Sequence, residues 1–546
     1  MSAEAQAPSP REAGGGLGWG VALAAALLLA LAGAWNHDLW VYDEPREAEL
    51  ARAMWRSGNW LYTVLNEQPF LEKPPLFTWT VASAFAVVGH PSIVAARVVA
   101  ALWSFATLTL VAWFASRIVS GRAALTAALL LATTNRFHTC SQTILLDNAL
   151  CAFTTGGLVF GWVALAERRA IFALLAALCV GGAFMVKGVV GVGIVGLVLA
   201  LETIAVRAPS PREAGGGLGW GAAFAVFALL PAVAYGLVLR SRSGDLFHEL
   251  YWNNQFGRFF HGYGSKPTSW HFYFRTWWEN FVPWTPLAFV ALVKPPRHKA
   301  TRFLLLWAMA PMVALSFSQA RARYYMVPLV PAYALLMTLV WEEVSLTPLL
   351  VKCLRGLWVV AALSVAVTGG VILAWGGLDV LVVVALLLAL GSLAFLRDGR
   401  KETLALGLLL VASGGWILRS TAYVTAWRER AEGLSYHEVS RQVWQQVGSR
   451  RLVLFHANDS YSGTFAFMRD TSVLGFDEVA DPHGEKLVAT VTSRDAVLAP
   501  VGRDGKGALD LLPPERRREF EVEWASGHEG GEKTAFALYR RTGGPP

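Results

Sequence analysis

The sequence predicts an α-helical polytopic membrane protein carrying a soluble α/β domain at its C-terminus, and three observations lead there. Of 546 residues, 55% belong to the hydrophobic set and only 16% are charged, with a mean hydropathy of +0.43. Many stretches of 17 to 22 residues carry no charge, and each is long enough as a helix to cross roughly 30 Å of hydrocarbon. From about residue 428 the apolar runs give way to short segments separated by turn residues. Hydrocarbon cannot hydrogen-bond an exposed amide, and alternating barrel strands are absent, so the spanning elements are helices.

Spanning segments fall near residues 18–36, 93–116, 122–140, 148–166, 170–186, 189–206, 219–240, 281–293, 302–318, 326–342, 356–375, 378–396 and 402–420, about thirteen in all. The first follows a neutral Gly-rich tail without a small-residue cleavage site, which reads as a retained helix rather than a removed signal. One further apolar piece, PPLFTWTVASAFAVVG at 74–89, is short for a crossing and opens on two prolines, so it fits an interfacial or partly inserted helix. Positive charge decides its place, because short cytoplasmic loops collect Lys and Arg. With 74–89 not spanning and the N-terminus inside, the inner turns hold Arg117 and Arg122, Arg168 and Arg169, Arg207 and Arg212, Lys294 through Arg302, Lys352 and Arg355, and Arg397 through Lys401. The C-terminal domain and the loops at 37–92 and 241–280 then lie outside the cytoplasm.

The net charge of +8 is spread in these small groups, the pattern of bilayer orientation rather than of nucleic-acid binding. Cys140, Cys151, Cys179 and Cys353 lack metal or disulfide spacing and read as small packing residues. APSPREAGGGLGWG occurs at 7–20 and again at 208–221, each time ahead of an apolar helix; as a repeated Pro/Gly leader it carries no assigned chemistry. Beyond 428, a helix around SYHEVSRQVWQQV precedes strand-like RLVLF, SVLGF, LVATVTS and AFALYRR.

In this topology Asp43, Glu44, Arg46, Glu47, Glu72, Lys73, Asp147, Lys187, Arg258, Arg321 and Arg323 all fall on or just beneath the outer face. Ionisable groups at membrane level cost a few kcal/mol each on insertion scales, so they are paired, wet or functional. A convergent cluster implies a polar cavity. Its bases suit a phosphate or pyrophosphate, and its acids, chiefly Asp43, suit orienting or deprotonating a nucleophile. Lys187 ends a helix beside glycines in VKGVVGVG, and 241–280 interleaves aromatics with Asn253, Asn254, Arg258, His261 and Lys266. Two bland alternatives stand beside this reading: a snorkelling lysine and an interfacial aromatic belt.

The pieces DEPREAELARAMWRSGNWLYTVLNEQPFLEKPPLFTW, ARVVAALWSFATLTLVAWFASRIVSGR, TILLDNAL, MVKGVVG, NNQFGRFF and SQARARYYMVPLVPAYALL occur in that order over most of residues 20–340. On them the chain resembles the polyprenyl-phosphate-dependent GT-C glycosyltransferases, especially the lipid A aminoarabinose transferases and their protein O-mannosyltransferase relatives. The resemblance implies a GT-C membrane domain over 1–427 and an extracytoplasmic α/β domain over 428–546. It implies catalytic carboxylates at Asp43 and Asp147, and donor-phosphate contacts from Arg46, Lys73, Lys187, Arg258 and Tyr325. It also implies a divalent metal, zinc, held by Glu72 with a histidine of the aromatic loop. YWNNQFGRF at 251–259 has no histidine there, and His261 and His271 are the neighbours in sequence. The implied activity is inverting transfer of a sugar from a polyprenyl phosphate to lipid A or another cell-surface glycolipid, or to protein Ser/Thr, at the outer face of a bacterial inner membrane. A transporter is the rival class, although the charges gather at one face rather than at mid-membrane.

Overall fold

The computed structural model describes residues 43–206, 217–257, 269–420 and 436–542, apart from 346, 377–378, 399, 458, 479–480, 502–506 and 527–534, with fragments at 24, 26–35, 39 and 260. Arg258, His261, Lys266, the expected boundary at 428, the first copy of the repeated leader and most of the second lie outside these residues.

The described residues are mostly helical. After α1 (Glu44–Ser57) come a two-stranded hairpin, β1 (Val64–Leu65) with β2 (Gln68–Pro69), and α2 (Leu76–Val88). The bundle continues with α3 (Ile93–Ile118), α4 (Gly121–Ala132), α5 (Asn135–Ser141), α6 (Asp147–Glu167), α7 (Ala170–Lys187), α8 (Val189–Val206) and α9 (Gly217–Arg242). Past the aromatic loop lie α10 (Thr285–Val293), α11 (Thr301–Ser316), a 3-10 segment Arg323–Leu329 leading into α12 (Val330–Glu343), α13 (Pro348–Gly376), α14 (Val380–Ser392) and α15 (Lys401–Leu418). Six described helices have the length and apolarity of a crossing, and several shorter apolar ones accompany them. The single span expected at 122–140 is two helices, because α4 ends at Ala132, where the Thr133 and Thr134 hydroxyls donate back to Leu129 and Leu130 carbonyls.

Ion pairs fix which helix ends share a side. Arg117 at the end of α3 meets Glu167 at the end of α6, and Arg302 in α11 meets Glu202 in α8. Lys401 donates to the Glu342 and Val344 carbonyls, and Arg355 to that of Arg397. The turns with the basic residues therefore gather at one end of the bundle. The first turns of α3 lie at the other end, where Arg97 pairs with Glu44. Helix α2 starts beside Lys73, hands over to α3 there, and sets Phe85 against Phe467 of the C-terminal unit. It begins and ends on one side and does not cross; its 13 residues reach only about 20 Å.

The C-terminal unit holds α16 (Tyr436–Val447), β3 (Arg451–Phe455), α17 (Asp459–Arg469), β4 (Leu474–Phe476), α18 (Glu485–Thr490), β5 (Asp495–Val501), β6 (Phe520–Ala525) and β7 (Ala535–Arg541). Its sheet runs β4-β3-β5-β7-β6, parallel from β4 to β5 and antiparallel beyond. Helices cover both faces, as an alternation of helix and parallel strand requires. The strand expected at LVATVTS is instead α18: the Asp481 carboxylate accepts from Leu487 N–H, and Leu487 and Val491 one turn apart are both buried.

Candidate active site

Helix α1 begins with proline in its first turn and carries acids there, where the missing N–H is tolerated and the helix dipole favours negative charge. That turn holds the site. Arg46 is its hub: Nη2 lies 3.1 Å from Asp43 Oδ1 and 3.1 Å from Glu47 Oε1, while Nη1 lies 3.3 Å from Glu72 Oε2. Lys73 Nζ donates to the other Glu72 oxygen at 2.6 Å. The β1–β2 hairpin carries Glu72 and Lys73 back over α1, and a small pocket opens between Glu47, Phe70, Glu72, Lys73 and Leu146.

A second pair completes the floor. Asp147, the first residue of α6, accepts from Lys187, the last residue of α7, at 2.6 Å, and both are buried. Helix α7 stops because Gly188 takes φ +63°, and Gln255 fills the space beside it and accepts from Val189 N–H at 3.0 Å. Lys187 Nζ sits 4.1 Å from the centre of the Tyr325 ring and 5.4 Å from that of Tyr324, and Tyr324 lies within electrostatic reach of Asp43. The two pairs are thus joined through the tyrosines.

Asp43, Arg46, Glu72, Lys73, Asp147, Lys187 and Tyr325 therefore come together at the end of the bundle opposite the basic turns, while Arg258 lies outside the described residues. Two other charges, Glu44 and Arg323, turn to partners outside the expected cluster. Glu44 is completely buried in a bidentate pair with Arg97, at 2.8 and 3.0 Å. Arg323 meets Glu279, while Arg321 donates to the Ser316 carbonyl and lies near Tyr273 together with Tyr325 and Asp147. Backbone direction explains this: in a helix, successive side chains point about 100° apart, so Glu44 faces the core when Asp43 and Arg46 face the pocket.

The sequence reading missed a member. Helix α17 of the C-terminal unit lies along α1 and brings Asp459 Oδ2 to 3.7 Å from Arg46 Nη1. A side chain at Gly463 would meet the Pro45 carbonyl oxygen at 2.6 Å, so the two backbones touch. Asn66 donates to Ser462 at 3.2 Å, and Asp470 accepts from both Arg52 and Arg56. Asp459 lies 416 positions from Asp43, and DSYSGTFAFMR offers no sign of it beyond an ordinary amphipathic pattern.

Among the described residues, three bases (Arg46, Lys73, Lys187) thus face five carboxylates (Asp43, Glu47, Glu72, Asp147, Asp459). Burial pushes the Glu47 carboxyl up to about 7, against the pull of Arg46. Among the described residues, the buried Arg46 Nε has no hydrogen-bond partner, a donor left over for an anion. A metal fits this set poorly: Lys73 and Arg46 occupy the Glu72 oxygens, and among the described residues no three His, Cys, Asp or Glu side chains form a metal-binding group. His271 is exposed and bonds to Ser269.

Residues 21–242 match the family model of dolichyl-phosphate-mannose-protein mannosyltransferases. An undecaprenyl phosphate-α-4-amino-4-deoxy-L-arabinose arabinosyl transferase of Pseudomonas aeruginosa is 27% identical over 405 residues, covering 72% of this chain and 68% of that protein. The enzyme of the same name from Pectobacterium atrosepticum is 26% identical over 324 residues, 57% of this chain and 56% of its own length. The crystal structure of ArnT from Cupriavidus metallidurans bound to undecaprenyl phosphate superposes with a TM-score of 0.72 at 21% identity, covering 96% of this chain and 98% of that one. The chain is a membrane protein with the GT-C glycosyltransferase fold, and it resembles the polyprenyl-phosphate-dependent enzymes of that class.

Proposed function

We propose that this protein transfers a sugar from a polyprenyl-phosphate donor to lipid A or another cell-surface glycolipid, at the extracytoplasmic face of a bacterial inner membrane. The observation that carries the reading is the convergence of Asp43 with Arg46, Lys73 and Lys187 at the bundle end opposite the basic turns. A transported substrate would sit near mid-membrane, whereas Asp147 and Lys187 are a first and a last helical residue.

In the proposed reaction the acceptor oxygen forms a bond to the anomeric carbon as the bond from that carbon to the phosphate oxygen breaks. The electron pair leaves on the phosphate, and the configuration inverts. Arg46, through its Nε, and Lys73 and Lys187 stabilise the charge that grows there, which accelerates transfer because it is larger in the transition state than in the bound donor. A hydroxyl acceptor gives its proton to Asp43; an acceptor phosphate is already ionised, and Asp43 then orients it. The chain's own side chains carry these steps, and none runs through a metal. The mannosyltransferase family match favours a protein Ser/Thr acceptor as the second reading. Purified protein given a radiolabelled polyprenyl-phosphate sugar with lipid A or with a Ser/Thr peptide separates the two; label reaching neither acceptor would sink both.

Two expected results follow from the charge balance. Lys73→Ala removes one charge-assisted contact, worth about 1.5–3 kcal/mol, so donor affinity should fall by roughly tenfold to a hundredfold; titration with polyprenyl phosphate checks it. Every base is matched by acids, so an incoming phosphate must compete with carboxylates. Glu47 takes up a proton as pH falls through about 7, which relieves one competitor at Arg46. Donor affinity should therefore rise as pH falls from about 8 to about 6, and Glu47→Gln should flatten that slope. The same raised value means that this carboxyl stabilises the fold below its unfolded value, and that the contribution is lost as pH rises through 7.

A further inference from the structure

A second charged cluster lies on the same end of the bundle, outside the site just described. Arg136 in α5 donates through Nε to Asn280 at 2.8 Å, and Arg323 meets the neighbouring Glu279 at 3.3 Å. Arg419, past the end of α15, donates to Asn135 Oδ1 at 2.7 Å and stacks on Trp416, 4.9 Å from the ring centre. Asn135 in turn donates to the Glu279 carbonyl at 2.6 Å. Three guanidiniums from three separate parts of the chain are thereby held on one short scaffold, with Glu279 as the carboxylate within it. The balance is the reverse of that at Arg46, where acids exceed bases. Among the described residues, positive charge is in excess here and not at the reaction site.

Its surroundings define what it faces. Trp278, beside Glu279, is 55% exposed, and α10 directs Phe289 and Val293 outward at 57% and 68%, so exposed apolar side chains continue from the cluster along α10. Exposed tryptophan at such a level marks the bilayer interface, and basic pockets between helix ends hold anionic headgroups. Guanidinium offers paired donors matched to phosphate oxygens and keeps its charge at any working pH. The cluster also adjoins the reaction site along the chain: Arg323 precedes Tyr324 and Tyr325, and α5 leads to Asp147.

We infer that Arg136, Arg323 and Arg419 form a second lipid site, one that binds the phosphate of a lipid headgroup other than the polyprenyl donor, with the acyl chains along α10. Sugar transfer is not needed to observe it, so a failed transfer assay and a failed binding assay are separate results. The test uses the full chain in phosphatidylcholine nanodiscs, with lipid retention read by mass spectrometry and either phosphatidylglycerol or the diphosphorylated glycolipid lipid A added. Wild type should retain the anionic lipid over zwitterionic phosphatidylcholine by about tenfold or more, and Arg136→Gln with Arg419→Gln should lose that preference, since each charge-assisted contact is worth about tenfold. Affinity for polyprenyl phosphate in the same variant should stay unchanged, and Arg136→Lys with Arg419→Lys should keep part of the preference. Arg323→Gln, whose side chain is 58% exposed and bears no load in the core, gives a weaker loss if the double variant does not fold. Tighter retention of lipid A than of phosphatidylglycerol identifies an acceptor dock; equal retention identifies a general anionic-lipid site, and either supports the assignment. Equal retention by wild type and variants, or inorganic phosphate displacing the lipid at equal concentration, overturns it.

Discussion

Asp43→Asn is expected to lower sugar transfer to a hydroxyl acceptor by roughly 10²–10⁴-fold, the range for loss of a positioned general base, without disturbing membrane insertion. Asparagine keeps the shape of the side chain, so the arrangement of the tyrosines over Lys187 should persist. What is lost is the negative charge beside Arg46 at 3.1 Å. Donor binding should hold or tighten, because one competitor for Arg46 has gone. A fall in turnover with donor affinity preserved therefore places Asp43 in the chemical step, and near-normal turnover removes it from the mechanism. With an acceptor that is already ionised the fall should be much smaller, so comparing a hydroxyl and a phosphate acceptor in this one variant identifies the acceptor class.

The largest effect on stability is expected one residue away. Glu44 and Arg97 are both fully buried, and Glu44 Oε1 also accepts from Ile144 N–H at 3.1 Å. Glu44→Ala takes the paired carboxylate away from a buried guanidinium and a buried amide, which should cost about 3–5 kcal/mol, seen as a lowered unfolding midpoint in detergent. Glu44→Leu combined with Arg97→Met removes both charges and should recover much of that loss, leaving the Ile144 amide at about 1–3 kcal/mol. If Glu44→Ala is as stable as wild type, the pair is not what fixes α1 to α3. Because the start of α1 carries Asp43 and Arg46, loosening this anchor should also depress transfer.

The two neighbours show what the sequence reveals and what it hides. Membrane helices are legible because the bilayer imposes one local rule, length and apolarity, and α6, α7 and α8 fall within a residue or two of the expected spans. Convergence of Asp43, Arg46, Glu72, Lys73, Asp147, Lys187 and Tyr325 is legible because their helix ends alternate sides. Which charge faces the pocket is not, since that depends on rotation about each helix: Glu44 turns inward to Arg97, and Arg323 turns to Glu279. LVATVTS looks like a strand by its branched residues, but the fold overrides this, and the Asp481 carboxylate accepts from the Leu487 N–H in the first turn of the helix that forms instead. Asp459 was hidden for a different reason, because nothing local records that α17 will lie on α1.

That contact links regions usually regarded as independent. At Gly463 there is no room for even a methyl group, and Asp470 is gripped by two arginines of α1, so the water-facing portion cannot be exchanged for a homologous one as a cassette. A hybrid made by swapping it alone inherits a mismatched seam directly behind the Arg46 hub, and drift on either face of that seam has to be answered on the other.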